Sequence, residues 1–185
     1  MEEKKLIRCF ICLEISIEAI NEIEELQKII KKKNLFYGKF TEPENLHLTL
    51  KFLGEIGENK IKEIKKELSE IKFSEFDVSL GELGFFSFKF PRILWIKLNG
   101  KEIWKLQEEI DKKMEKLGFI REERFMSHIT IARLKKAIDK KIMFDYVKNL
   151  KHREIKFEVK EFCFKKSELL AEGPVYDNIS EYKLE

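Results

Sequence analysis

Charge of one sign, paired cysteine, histidine and threonine are all scarce in this 185-residue chain, and each scarcity narrows the field. Thirty-seven Lys and Arg residues face 34 Asp and Glu, a net charge of +3. The chain as a whole is therefore no strong polyanion binder, and any nucleic-acid site must be local. The lead Met1-Glu2-Glu3-Lys4-Lys5 runs into a short apolar stretch broken by Arg8, which has neither the length nor the cleavage pattern of a signal peptide. A cytoplasmic location with no membrane association is the expectation. Of the three cysteines, Cys9 and Cys12 are spaced Cys-x-x-Cys and Cys163 stands apart. No second pair exists to complete a tetrahedral zinc site, and residues three apart on a strand point to opposite faces, so buried thiols are expected.

What is present points to a folded domain. Apolar residues make up 43% and aromatics 12% of the chain, with 38% charged residues and a mean hydropathy of −0.37. That balance excludes a disordered tail and fits one compact domain over residues 1–185. The abundance of Lys, Glu and Ile, with Gln27 and Gln107 as the only glutamines, would suit heat adaptation but carries no functional information.

Hydrophobic periodicity predicts a strand over 6–14, then a helix capped by Ser16 that carries Ile17, Ile20, Ile23, Leu26 and Ile30 and ends in the Lys31–Asn34 run. A strand near 36–40, a turn at Pro43 and a strand over 47–53 follow, closed by Gly54 and Gly57. A helix bearing Ile61, Ile64, Leu68 and Ile71 leads to apolar strands around 73–83, with Gly81 and Gly84 as bulge or turn positions. The second half repeats this order. It has a strand over 93–98, a helix bearing Ile103, Leu106, Ile110, Met114 and Leu117 that ends at Gly118, a strand from His128, and a helix near 138–150. Strands near 155–164 and 175–184 close the chain. The expected fold is α+β and bilobal, with two pseudo-two-fold-related lobes of antiparallel sheet flanked by helices around a central groove.

The chain has three histidines and three threonines, and two of each form His47-Leu48-Thr49 and His128-Ile129-Thr130. At this threonine frequency, two such hits arise by chance in roughly one chain in a thousand. Leu46, Leu48 and Leu50 around the first motif, and Ile129 and Ile131 around the second, alternate strictly with the polar pair. On a strand, that puts imidazole and hydroxyl on one face and anchors the other face in the core. Two such units suit substitution at phosphorus. One imidazole takes a proton, the other gives one, and two threonine hydroxyls donate to the non-bridging oxygens. No acidic cluster sits at ligand spacing beside the histidines, so neither metal nor cofactor is expected. His152, in Lys151-His152-Arg153, is read as a strand residue that merely hydrogen-bonds a neighbour.

These residues resemble the two-histidine phosphoesterase superfamily, and within it the RNA 2′,3′-cyclic phosphodiesterase branch, historically named 2′-5′ RNA ligase. Arg8-Cys9-Phe10 is similar to its opening strand, 43–54 to its first motif, 91–95 to its central strand and Ser127–Arg133 to its second motif. Ser127 departs from the proline often found there, which alters a turn. The resemblance implies hydrolysis of RNA 2′,3′-cyclic phosphate ends to 2′-phosphates, with His47 as acid to the leaving 3′ oxygen and His128 as base to water. By microscopic reversibility it also permits 2′-5′ ligation. Expected substrates are tRNA fragments, other RNA ends or cyclic nucleotides, acted on by a monomer. A nucleotide-sugar cyclic ester, or a non-catalytic RNA-end binding module, are the competing readings.

Thr49, Thr130 and Arg133 are the candidate phosphate ligands. Arg133 lies five residues after His128, so a regular strand would turn it to the wrong face and only a bulge or strand end would bring it round. Phe85, Phe86, Phe88 and Phe90 offer base-stacking surfaces, although a core strand and its turn is the commoner source of such a run. Lys51, Arg92, Arg121 and Arg124 are further RNA-backbone candidates.

Overall fold

The computed structural model describes residues 6–171 and 173–185; the Met1–Lys5 lead discussed above lies outside them. Strand β1 (Ile7–Glu14) is followed by helix α1 (Ile17–Lys33), β2 (Phe36–Phe40), a 3-10 turn (Pro43–Asn45), β3 (His47–Ile56) and α2 (Glu58–Ser69). Then come β4 (Phe76–Phe85), β5 (Ile93–Asn99), α3 (Lys101–Lys116), β6 (His128–Ala137) and α4 (Lys140–Asn149). The chain ends in β7 (Lys156–Val159), β8 (Glu161–Leu170) and β9 (Gly173–Lys183).

Local chemistry sets the helix ends. Ser16 accepts the Ala19 N–H at 3.2 Å, a cap that contributes about 1 kcal/mol. Asn34 closes α1 in the left-handed region at φ 51°, ψ 50°, a conformation that asparagine tolerates. Asp139 caps α4 by accepting the Ile142 N–H at 2.9 Å.

All strands join one antiparallel sheet in the order β7-β4-β5-β6-β3-β1-β8-β9, with β2 added along β6. The order reads alike from its centre outward: β6, β5, β4 on one side and β3, β1, β8 on the other. That is the expected pseudo-two-fold. The two halves meet edge to edge at a single residue pair, Leu48 opposite Ile129, which are the middle residues of the two His-x-Thr motifs. One hydrophobic core serves both halves, gathering Ile23, Leu26, Ile64, Leu106, Ile110 and Met143 from the helices with Ile11, Leu48, Leu94 and Ile129 from the sheet. Cys9 joins that core, whereas Phe10, Cys12 and Cys163 form a small cluster of their own against Tyr176. Cys9 and Cys12 thus point to opposite faces of β1, as strand geometry requires, and all three thiols are buried and free.

The stretch 155–164 is not one strand, because it breaks at Lys160 so that β7 pairs with β4 and β8 with β1, on opposite wings of the sheet. No glycine or proline marks the break; only the tertiary pairing makes it. The phenylalanine run divides into a core strand and its turn, with Phe85 packed against the core. Strand β4 ends at Phe85, and Phe86, Phe88 and Phe90 are exposed. Of the two glycines flagged as bulge positions, Gly81 falls where β4 skips two residues against β5. Gly84 lies under the Trp95 ring, which a Cβ there would meet at 2.6 Å. Among the described residues no helix is long and apolar enough to cross a membrane.

Candidate active site

A cavity of about 530 Å³ opens at the seam of the two halves and is lined by His47, Thr49, His128, Thr130 and Arg133, together with Arg8 and Tyr176. All five residues picked out from the sequence therefore converge on one hollow. The alternation that carried the prediction holds: His47 and Thr49 are half-buried while Leu48 and Leu50 are buried, and the second motif repeats the pattern with Ile129 and Ile131.

The imidazoles are held in the same way. His47 Nδ1 lies 2.8 Å from the Asn45 carbonyl and His128 Nδ1 lies 2.8 Å from the Met126 carbonyl, each two residues upstream. A carbonyl only accepts, so both Nδ1 atoms carry the proton and each neutral ring presents the Nε2 lone pair on its other side. The Thr49 hydroxyl donates to His47 Nε2 at 3.0 Å. The Asn45 carboxamide in turn donates to the Pro174 carbonyl at 3.0 Å, tying the 3-10 turn before β3 to β9. Ser127 is fully buried and donates to the Leu98 carbonyl at 2.5 Å, so the serine stitches β6 to β5 through its hydroxyl.

The two histidines differ in their surroundings. Phe10 stacks on His47 with ring centroids 4.9 Å apart, and Tyr176 meets it edge-on at 5.3 Å. Burial holds the His47 imidazole down at about 4; the Asn45 carbonyl pulls upward, while the Lys165 and Arg133 cations press it lower. His128, with Phe86 edge-on at 4.8 Å, is also shifted below its ordinary value, first by burial and then by Arg133, against the opposing Met126 carbonyl. Both shifts favour the neutral ring at pH 7.

Arg133 reaches the cavity through the bulge that its odd spacing required. Trp95 pairs with Thr130 and Leu94 with Ala132, so Ile131 is skipped, Ile131 and Ala132 are both buried, and Arg133 comes round to the groove. Strand β3 does the same: Cys12 pairs with Thr49 and Ile11 with Lys51, skipping Leu50 and turning Phe52 outward into the cavity wall. Phe52 in one half thus stands where Arg133 stands in the other.

Each bulge is fixed by a helix of the opposite half. Gln27 of α1 donates through its Nε2 to the Ile131 carbonyl at 2.9 Å and to the Thr41 carbonyl at 2.9 Å, and the Thr41 N–H also reaches Ile131 O at 3.0 Å. On the other side, the Lys51 ammonium pairs with Asp111 of α3 and donates to the Ile120 carbonyl, while Asp111 Oδ2 accepts the Glu122 N–H at 2.6 Å. Lys51 is therefore an internal tie, only 6% exposed, and not the RNA-backbone ligand expected of it; the ion pair is what makes its burial affordable. Arg121 is 3.9 Å from Glu108, and Arg124 lines a second hollow of about 190 Å³ that adjoins Phe52, Phe86 and His128. Arg92 is exposed and donates to the Lys135 carbonyl at 3.0 Å. His152 bridges the Arg153 and Gly81 carbonyls, a structural role. Sequence reasoning missed Gln27, Tyr176 and the stacking role of Phe10. Tyr176 reaches the site only through the β8–β9 hairpin and left no signal, and the two glutamines were noted but had no visible partner.

Among the described residues, the three side chains placed closely enough to hold a metal are Glu14, Glu161 and Cys163, which include neither motif histidine. A model of the LigT like Phosphoesterase family matches residues 13–95 and 97–176.

The chain belongs to the LigT-like phosphoesterase family.

This family member is 33% identical over 178 residues to a Methanocaldococcus jannaschii protein named RNA 2′,3′-cyclic phosphodiesterase, covering 95% of this chain and all of that one. An Archaeoglobus fulgidus protein of the same name is 34% identical over 177 residues, covering 94% and 98%. Among solved structures, apo LigT of E. coli superimposes with a TM-score of 0.79 at 20% identity over 97% of this chain and 98% of that one, which supports the fold.

Proposed function

We propose that this LigT-like phosphoesterase hydrolyses RNA 2′,3′-cyclic phosphate ends to 2′-phosphates, the chain acting as one domain with His47, His128, Thr49, Thr130 and Arg133 as its working residues. The observation that carries the reading is the symmetric pair of imidazoles, each fixed by a carbonyl at Nδ1 so that the Nε2 side, met in His47 by the Thr49 hydroxyl, serves the substrate. The M. jannaschii and A. fulgidus relatives, both named for this activity, support it.

In this scheme His128 Nε2 takes a proton from water as the water oxygen bonds to phosphorus. The bond from phosphorus to O3′ breaks on the opposite side, and His47 gives its Nε2 proton to O3′. Thr49, Thr130 and Arg133 hold the non-bridging oxygens. The phosphodiester's own negative charge matters here. It lies between two rings that burial keeps neutral, and it favours the charged form of whichever ring donates. His47, enclosed by Phe10 and Tyr176, is then charged mainly when substrate is present. None of the steps calls on a metal or cofactor. In 2′-5′ ligation an RNA 5′-hydroxyl replaces water as the nucleophile and O3′ again leaves, so the same base and acid serve. The expected setting is a monomer in the cytoplasm acting on tRNA fragments or other RNA ends.

The test is turnover of a nucleoside 2′,3′-cyclic phosphate and of a cyclic-phosphate-ended oligonucleotide in EDTA, with the products identified. A 2′-phosphate is expected, and His47→Ala and His128→Ala should each lower kcat by about 10²- to 10⁴-fold while remaining folded. Absence of turnover, loss of activity in EDTA, or normal rates in both variants would each sink the proposal.

A further inference from the structure

The exposed phenylalanines beside the cavity have no part in the scheme above. Phe86 sits between the Trp95 ring at 5.9 Å and His128 at 4.8 Å, and beyond it the chain runs Ser87-Phe88-Lys89-Phe90-Pro91-Arg92. Phe86, Phe88 and Phe90 are 49%, 61% and 64% exposed. Phe88 rests against Phe144 at 4.7 Å, and Phe90 carries the Lys89 ammonium over its ring at 5.5 Å. Three neighbouring phenyl groups left in water form a patch that calls for a partner.

The patch lies against a concentration of positive charge. The Leu134 N–H donates to the Arg92 carbonyl at 2.8 Å, Arg92 Nη1 to the Lys135 carbonyl at 3.0 Å, and Lys140 Nζ to the Lys89 carbonyl at 2.7 Å. These bonds pin residues 86–92 onto residues 133–141. Together the two stretches contain seven Lys and Arg and one acid, Asp139, a net charge of +6 in a chain whose total is +3. Asp139 is committed to capping α4. Among the described residues none of the seven cations is ion-paired. Elsewhere cations such as Lys112, Lys113 and Lys165 are held by carboxylates.

We propose that this band, running from Phe86 at the cavity out to Phe90 and the Lys135–Lys136 pair, binds the single-stranded RNA on the 5′ side of the terminal cyclic phosphate. The inference rests on the phosphodiesterase reading and deepens it, because it makes an RNA end a better substrate than a free cyclic nucleotide. Exposed aromatic faces interleaved with cations suit a single strand. Every base has a face to stack whatever the sequence, and the phosphates need charge at short intervals. Continuity with the cavity, through Phe86 against His128, favours RNA over an anionic membrane, which would need no link to the histidines.

The experiment compares kcat/KM for cytidine 2′,3′-cyclic phosphate and for an oligonucleotide of about eight residues with the same end, a length within the range that such surfaces cover. The proteins are the wild type, Phe90→Ala and the double variant Lys135→Ala/Lys136→Ala. The wild type should prefer the oligonucleotide. Phe90→Ala should lose about 5- to 100-fold on the oligonucleotide, the equivalent of one base stack, and nothing on the mononucleotide. The lysine variant should reduce the slope of log(kcat/KM) against log[salt] by about 0.7 for each charge removed.

Equal wild-type efficiency on both substrates, or variants that slow both alike, would overturn the band. So would binding to phosphatidylserine vesicles without any preference for the oligonucleotide. If neither substrate turns over, the phosphodiesterase reading fails instead. The band is then judged by fluorescence anisotropy with a 2′-phosphate-ended oligonucleotide, where unchanged affinity in both variants refutes it.

Discussion

Replacing Lys51 with methionine strands a charge inside the protein. Asp111 is 2% exposed, and with Lys51 gone its remaining partner is the Glu122 N–H at 2.6 Å. Breaking one side of a buried pair costs about 3 to 5 kcal/mol, which for a chain of this size lowers Tm by roughly 6 to 20 °C. Asp111→Asn should cost a similar amount by leaving the Lys51 ammonium with only the Ile120 carbonyl. The double variant Lys51→Met/Asp111→Leu removes both charges together. The groups it frees, the Ile120 carbonyl and the Glu122 N–H, belong to exposed residues where water can replace the lost partners. It should therefore lie closer to wild type than either single variant, with a coupling of about 2 kcal/mol or more. Urea unfolding followed by circular dichroism gives the free energies, and unchanged m values would confirm that the denatured state is the same. Lys51 adjoins the bulge after Thr49, so the single variants should also lose kcat/KM at temperatures where they stay folded. Single-variant costs under about 1 kcal/mol, or costs that simply add in the double variant, would refute the view that this pair is desolvated and fixes β3.

Four further outcomes concern other parts of the molecule. Gln27→Ala leaves the Ile131 carbonyl with fewer donors and should cost about 1 to 3 kcal/mol, with a larger fall in kcat/KM than in Tm would explain because the bulge presents Arg133; a normal KM and kcat would argue against that positioning. Gly38→Ala drives a Cβ to within 2.3 Å of the Arg133 carbonyl and should force β2 away from β6, which thermal melts and activity would register together. Because the His47 pKa is lowered to about 4 by burial, the unfolded state binds the proton first as pH falls. Stability is then full above about pH 6.5 and declines toward pH 4, by about 1 to 3 kcal/mol; His47→Ala should flatten that acid limb, and an unchanged slope would contradict the burial. Burial also raises the thiols, Cys9 to about 11 and Cys163 to about 12, with Cys12 higher still. Alkylation at pH 8 should label none of them until the protein is unfolded.

Much of the site was legible because its signal is local. Two histidines and two threonines at a spacing of two, with aliphatic residues between them, specify a strand with one wet and one dry face, and His47, Thr49, His128 and Thr130 lie as that pattern requires. The repeated element order likewise foreshadowed the symmetry of the sheet. Lys51 misled because an exposed lysine and a buried, ion-paired one look identical in sequence. The phenylalanine run was legible as a strand and its turn, with Phe85 ending β4 against Phe144, but the exposure of Phe86, Phe88 and Phe90 depends on what the tertiary structure leaves uncovered.

By itself, then, the sequence determined the paired motifs, the chemistry they can perform and the element order up to the β7–β8 break, since these depend on residue type and on periods of two and 3.6. Only the tertiary structure decided that the halves join at Leu48 and Ile129, that Ile131 is skipped so Arg133 faces the groove, and that Gln27 and the Lys51–Asp111 pair hold the two bulges from opposite lobes. Those contacts span up to 104 residues of chain. No local pattern encodes them, because a bulge and its tie become favourable only once both partners are buried in the same core.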